Sequence, residues 1–258
     1  MATSEPADDK AAQSAAGRTG LEPFRPMLQV DRFTWPKTCS RLMVAAAEEL
    51  DRLTDELLAA QARGQKVLGI AGCRRGEGST TILLCTARRL AERGLRVVLV
   101  DADLAEPQLA RRLGVLPQFG WESVWSGRLP LAEVVIESIE NRLALLPLCE
   151  TFAAGGPGLG GKTILAESLD TLAANFEFVL IDLGPLEDPA VIGGSFGREI
   201  GRRLHGIILV QNVRVAARER ITEVQRRLAA AGIVQAGIIE NLVHDETPRR
   251  NKGLEIGD

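Results

Sequence analysis

At 258 residues the chain is long enough to bury one sizeable core, and an α/β domain fits that length. Apolar residues make up 45% and charged residues 25%, and a net charge of -3 gives no general reason to expect nucleic acid or an anionic membrane as partner. No run approaches the ~18 consecutive apolar residues of a membrane span, and the first residues (MATSEPADDKAAQSAAGR) lack the apolar stretch of a secretory signal, so a cytoplasmic setting without direct membrane insertion is expected.

Residues 1–25 are read as a disordered tail rich in Ala, Ser, Asp and Gly. A nucleotide-binding domain is expected over 26–243, with a leading helix at about 38–63, and a polar C-terminal tail over 244–258. Within the domain, short apolar runs alternate with longer amphipathic segments. The runs are Val67–Ala71, Val97–Val100, Leu143–Leu148, Phe178–Ile181, Ile207–Val210 and Gly237–Ile239. Several are continuous rather than alternating, as strands covered on both faces should be. Thr80–Arg93 and Ala216–Ala231 carry helix formers and end at Gly94 and Gly232, which suit left-handed caps. The expected fold is α/β: a doubly wound, mostly parallel sheet flanked by helices. The four cysteines follow neither metal nor disulfide spacing. His205 and His244 stand isolated and are read as non-catalytic, and the arginine pairs 202/203, 226/227 and 249/250 as solvated faces.

Directly after the first of these runs comes Gly72-Cys73-Arg74-Arg75-Gly76-Glu77-Gly78-Ser79-Thr80-Thr81, and a helix follows. Strand, glycine-rich turn and helix is the context of a phosphate loop, where backbone N–H groups converge on phosphate oxygens at a helix N-terminus. Thr80 is placed to ligate Mg²⁺. Ser79 stands where the loop lysine belongs, and a plain βα turn is the alternative. A formally better match, Gly156-Pro157-Gly158-Leu159-Gly160-Gly161-Lys162-Thr163, is read as a decoy, because it does not spring straight from a strand.

Two acidic motifs support the loop. Val97–Val100 runs into Asp101-Ala102-Asp103, expected on a strand next to the first, with its carboxylates facing the phosphate site. Phe178–Ile181 ends in Asp182, the Walker B arrangement, in which the carboxylate lies opposite the Thr80 hydroxyl across the metal. Either motif alone is weak, and a capped strand-end turn is the other reading; the three together in this order carry a nucleotide site. Asn241 closes the last run, as a purine contact or as a turn residue.

These motifs resemble those of the MinD/ParA class of P-loop ATPases, and over about 41–243 the chain is similar to the cytoplasmic domain of bacterial tyrosine kinases that regulate capsule and exopolysaccharide synthesis. The segment Gly120–Leu131 (GWESVWSGRLPL) shares in the likeness. The resemblance implies Mg-ATP as ligand, bound by the loop (Gly72, Arg75, Gly76, Glu77, Gly78, Ser79, Thr80, Thr81) and by Asn241 at adenine. It implies Thr80, Asp101 and Asp182 at the metal and Asp101 and Asp103 as catalytic groups. Arg74 aligns with a second lysine that reaches into the partner subunit in MinD/ParA-type proteins, so action across a dimer and simple exposure both stay open. A membrane-bound polysaccharide co-polymerase or export protein is the implied partner, able to recruit the chain to the inner membrane face, and a homo-oligomer is a further possibility. No nucleic-acid partner is expected. Four departures matter: Ser79 for the lysine, Ala105 after the second acidic motif where the family has arginine, an oligomerisation pattern met at Glu49 and Arg52 but ending in Asp55, and no tyrosine anywhere. This chain therefore cannot phosphorylate a tyrosine of its own. A nucleotide-dependent regulator with weak or absent turnover is the leading expectation; a silent scaffold on a membrane partner and a MinD/ParA-like positioning ATPase are the alternatives.

Overall fold

The computed structural model describes residues 24–152, 162–212 and 218–241. Eight strands form one sheet: β1 (Leu28–Val30), β2 (Val67–Gly72), β3 (Val97–Asp101), β4 (Ile136–Ser138), β5 (Leu143–Leu146), β6 (Phe178–Pro185), β7 (Gly206–Asn212) and β8 (Gln235–Asn241). Their spatial order is β1-β4-β5-β3-β6-β2-β7-β8. All neighbours pair in parallel except β4 with β5. The six runs expected as strands all lie in this sheet. The two short strands at one margin, β1 and β4, carry no run long enough to announce them.

Helices cover both faces because strand side chains alternate. Val98 and Val100 of β3 face one apolar cluster, while Val97 and Leu99 face the other. The second cluster is roofed by α1 (Lys37–Ala45), α2 (Ala47–Gln61), α3 (Ser79–Glu92) and α4 (Leu109–Arg112). The first is roofed by α5 (Trp121–Trp125), α6 (Lys162–Asn175), α7 (Ala190–Gly193), α8 (Ser195–Gly201) and α9 (Arg218–Ala230). The segment around α5 supplies that side with its bulk: Trp125 meets Trp121, Phe152 and Phe196 with ring centroids 5.2, 5.8 and 4.9 Å away.

The expected leading helix is in fact two. Ala46 leaves the helical region (φ -124, ψ 40) and separates α1 from α2. Nothing in the run Val-Ala-Ala-Ala-Glu-Glu marks this break. Gly94 and Gly232 adopt positive φ behind α3 and α9, as expected of them. His205 is not isolated: its Nδ1 accepts the N–H groups of Lys66 and Val67, at 3.1 and 3.0 Å, where β2 begins. Burial and the nearby Lys66 lower its pKa, so the neutral ring is the form that fits this acceptor role. Two arginines read as solvated also have partners, since Arg203 pairs with Asp170 and Arg227 donates to the Leu186 carbonyl at 3.0 Å. His244 and Arg249/Arg250 lie outside the described residues.

Truncating a central side chain tests this packing. Leu99 is fully buried between β5 and β6 neighbours, so Leu99→Ala should lower unfolding free energy by roughly 2–5 kcal/mol in urea denaturation.

Candidate functional site: a phosphate loop over buried carboxylates

β2 is flanked by β6 and β7, and every residue of it is buried. The chain leaves its C-terminal end at Gly72 and enters α3 at Ser79. Between them Gly76 and Gly78 take φ of +86 and +92. At Gly78 a side chain is doubly excluded, because its Cβ would also run into the Asn241 amide. Among the described residues, the N–H groups of Gly76, Glu77, Gly78, Ser79, Thr80 and Thr81 have no hydrogen-bond acceptor, and no side chain caps α3. Unpaired amides at a helix N-terminus make an anion cradle.

Three interactions hold this loop open. The Glu77 side chain turns beneath it, 1% exposed, and accepts the Arg74 N–H at 2.9 Å. Burial raises the Glu77 pKa, while the amides of Arg74, Cys73 and Asn212 pull it down. From the neighbouring side, Glu187 accepts the Arg75 N–H at 2.8 Å. From β8, the Asn241 amide donates to the Glu77 carbonyl at 2.9 Å. So the side chains of Arg75 and Glu77, expected on the ligand, are both engaged with protein partners; their backbone remains available to it. Ser79 and Arg74 are half-buried, and neither side chain makes a hydrogen bond or ion pair with a described residue.

The acidic motifs converge from two strands. Sequence reasoning put Asp101 on a strand next to β2, but β6 intervenes. The insertion brings the carboxylates together, because Asp101 and Asp182 become register partners on β3 and β6. Both are buried, at 1% and 3% exposure. The Asp101 carboxylate accepts the N–H groups of Asp103 (3.3 Å) and Leu109 (2.9 Å), which fixes its orientation. Burial, then the facing Asp182, pushes its pKa well up. Burial also raises Asp182, to about 6, against a hydrogen bond from Thr80 and another from the Gly184 N–H. Thr80 thus stands near enough to Asp182 to lower its pKa, and the Walker B reading has the two on either side of a metal.

Asp103 sits one step outward. It accepts the Ala105 and Glu106 N–H groups and takes a two-pronged ion pair from Arg75, at 3.1 and 3.3 Å. Gly184 makes room for it: φ is +66 there, and a Cβ would strike the Asp103 carboxyl. Glu106 and Glu187, the other partners of Arg75, carry no sequence signal and were missed.

This donor set suits Mg²⁺: a hydroxyl and hard carboxylates, with a cradle for phosphate oxygens to complete the shell. Among the described residues no three His, Cys, Asp or Glu side chains are grouped so that they could hold a metal ion by themselves. The rival glycine segment lies outside the described residues except for its last two, at the start of α6. The last described strand before it, β5, ends at Leu146, and the described residues 147–152 that follow are not strand.

No protein-family model matches the chain. Individual proteins do. The tyrosine-protein kinase CpsD of Streptococcus agalactiae serotype III is 24% identical over 186 residues, spanning 70% of this chain and 75% of that protein. The putative tyrosine-protein kinase EpsB of Ralstonia nicotianae is 24% identical over 202 residues, 77% of this chain and 26% of that one. The kinase domain of VpsO superposes with TM-score 0.65 at 24% identity, covering 80% and 98% of the two chains. The fold is that of the bacterial tyrosine kinase domains. It is shared with MinD, whose Mg-ADP complex from Pyrococcus horikoshii gives TM-score 0.56 at 22% identity over 68% and 70% of the chains. Glu49, Arg52 and Asp55 all lie on α2. Asp55 pairs with Arg93 at 3.2 Å, and Arg52 stays on α2 with Glu49 at 3.5 Å.

The raised Asp182 pKa sets the sign of a pH effect in metal-free protein. Between ~4, the usual carboxylate value, and about 6, the folded state keeps a proton that the unfolded state has released. Asp182 should therefore lower stability by about 3 kcal/mol as pH rises through this window, and Asp101, whose pKa is also raised, adds to the fall. Asp182→Asn should flatten the fall in urea titrations with EDTA from pH 4.5 to 7 (roughly the window above); parallel profiles would refute the assignment.

Proposed function

We propose that the chain binds Mg-ATP on residues 72–81 and acts as a nucleotide-dependent regulator of exopolysaccharide or capsule production, with weak or absent turnover. The observation that carries this reading is the row of acceptor-free amides from Gly76 to Thr81, opening above the Thr80–Asp182 pair. Any helix leaves its first N–H groups open; here Gly76 and Glu77 lengthen that row over the glycine turn and buried acids lie beside it, the setting of an anion site.

An Mg²⁺ ion held here would supply neutralisation of phosphate charge. Thr80 and Asp182 would hold it, with Asp101 oriented behind them. Ser79 adds no charge, so transition-state stabilisation falls by an amount comparable to losing one oxyanion-hole donor, on the order of 3 kcal/mol. Binding suffers less than turnover, because amides and metal carry it. With no tyrosine among its 258 residues, this chain offers no tyrosine acceptor of its own. The similarity to CpsD and EpsB, both tyrosine-protein kinases by name, supports a cytoplasmic role beside a membrane co-polymerase or export protein. No described helix is long and apolar enough to cross a membrane. Arg74, without an ion pair among the described residues, is the group we assign to a second subunit in any homo-oligomer. Adenine contact by Asn241 belongs to the same proposal.

One observation favours a catalytically silent variant of this reading: Asp103, the expected catalytic carboxylate, is taken up by Arg75. Calorimetric titration with Mg-ATP, followed by a phosphate-release assay, separates the two. The regulator binds Mg-ATP, loses at least about tenfold affinity in Thr80→Ala, and releases phosphate slowly. Binding without release leaves the silent form, and no binding by the wild-type protein overturns the nucleotide reading.

A further inference from the structure

Arg75 makes the one ion pair that joins the phosphate loop to the second acidic motif among the described residues. Its guanidinium holds both oxygens of Asp103 and also reaches Glu106 at 2.9 Å. The Arg75 side chain is 40% exposed, whereas that of Asp103 is 10% exposed. One end of the pair is thus anchored by backbone amides and Gly184, while the other is a long, partly solvated arm. Such a contact is exchangeable, because the arm can leave without disturbing the anchor.

What would draw it away is a stronger anion in reach. Asp103 lies close enough to Asp101 and Asp182 to raise both their pKa values, so the guanidinium paired to it stands at the edge of that acidic cluster. Its own backbone forms the rim of the amide cradle. A planar guanidinium suits phosphate oxygens as it suits a carboxylate, by paired N–H donors. Ser79 leaves the loop short of a cation.

We propose that Arg75 is a latch that exchanges partners: it holds Asp103 in the empty site and transfers to the terminal phosphate of a bound nucleoside triphosphate. The exchange supplies the charge that Ser79 lacks and frees the Asp103 carboxylate in one movement. A diphosphate ends short of the arm and leaves the latch shut, so Arg75 sets the preference for triphosphate over diphosphate. This inference rests on the nucleotide reading of the loop and adds a specificity-determining residue to it.

The test compares ATP and ADP affinities, with Mg²⁺, by calorimetry in the wild-type protein, Arg75→Ala, Arg75→Lys and Asp103→Asn, each checked for folding by circular dichroism. Arg75→Ala should weaken ATP about tenfold or more, as loss of a charged hydrogen-bonding partner does, with ADP changed by less than about threefold (under half that free energy). Arg75→Lys should restore part of the ATP preference. Asp103→Asn removes the competing carboxylate and should tighten ATP while leaving ADP unmoved. An ATP-to-ADP ratio unaltered in Arg75→Ala overturns the latch while the nucleotide reading stands. Failure of the wild-type protein to bind either nucleotide overturns both.

Discussion

Two negative charges buried side by side constrain everything around this site. Asp101 and Asp182 are register partners on adjacent strands, and neither has a salt-bridge partner among the described residues. Such a pair is tolerable only where protons, hydrogen-bond donors or an ion offset it. The structure shows each remedy in place or in waiting: raised pKa values, the Thr80 hydroxyl, the amides of Asp103, Leu109 and Gly184, and a hard-oxygen site beside a cradle of free N–H groups.

Most of the sheet was legible in the sequence because its strands are buried on both faces. Runs such as Val-Val-Leu-Val and Phe-Val-Leu-Ile have few alternatives once Gly and Asp bracket them. β1 and β4 escaped notice for the opposite reason. Each is three residues at a margin, and their pairing is a tertiary event with no local signature. The break at Ala46 is similar, since alanine is the best helix former and gives no warning.

The site was legible in its backbone and less so in its side chains. Strand-end aspartates, the glycine turn and the hydroxyl after it could be named in advance, because main-chain geometry demands those residue types. Strand order could not. The placement of β6 between β2 and β3, which makes Asp101 and Asp182 partners, is a topological choice that motif order does not encode. Nor could reading the loop say that Glu77 folds under it, or that Arg75 lies on Asp103. Those depend on Glu106, Glu187 and Gly184, residues distant in sequence and unremarkable in type. Ser79 is the reverse case: the substitution is plain in the sequence, and its consequence lies in what its neighbours do.

The bond from Asn241 to the Glu77 carbonyl ends β8 on the phosphate loop. β8 is the sheet's last strand, paired on one side only, with β7, and alternately exposed along its length. Order at that margin and order in the loop are therefore thermodynamically linked, and linkage runs both ways. Ordering the loop favours an ordered margin by as much as ordering the margin favours an ordered loop. A single amide thereby gives the outer rim of the molecule a reading of its interior.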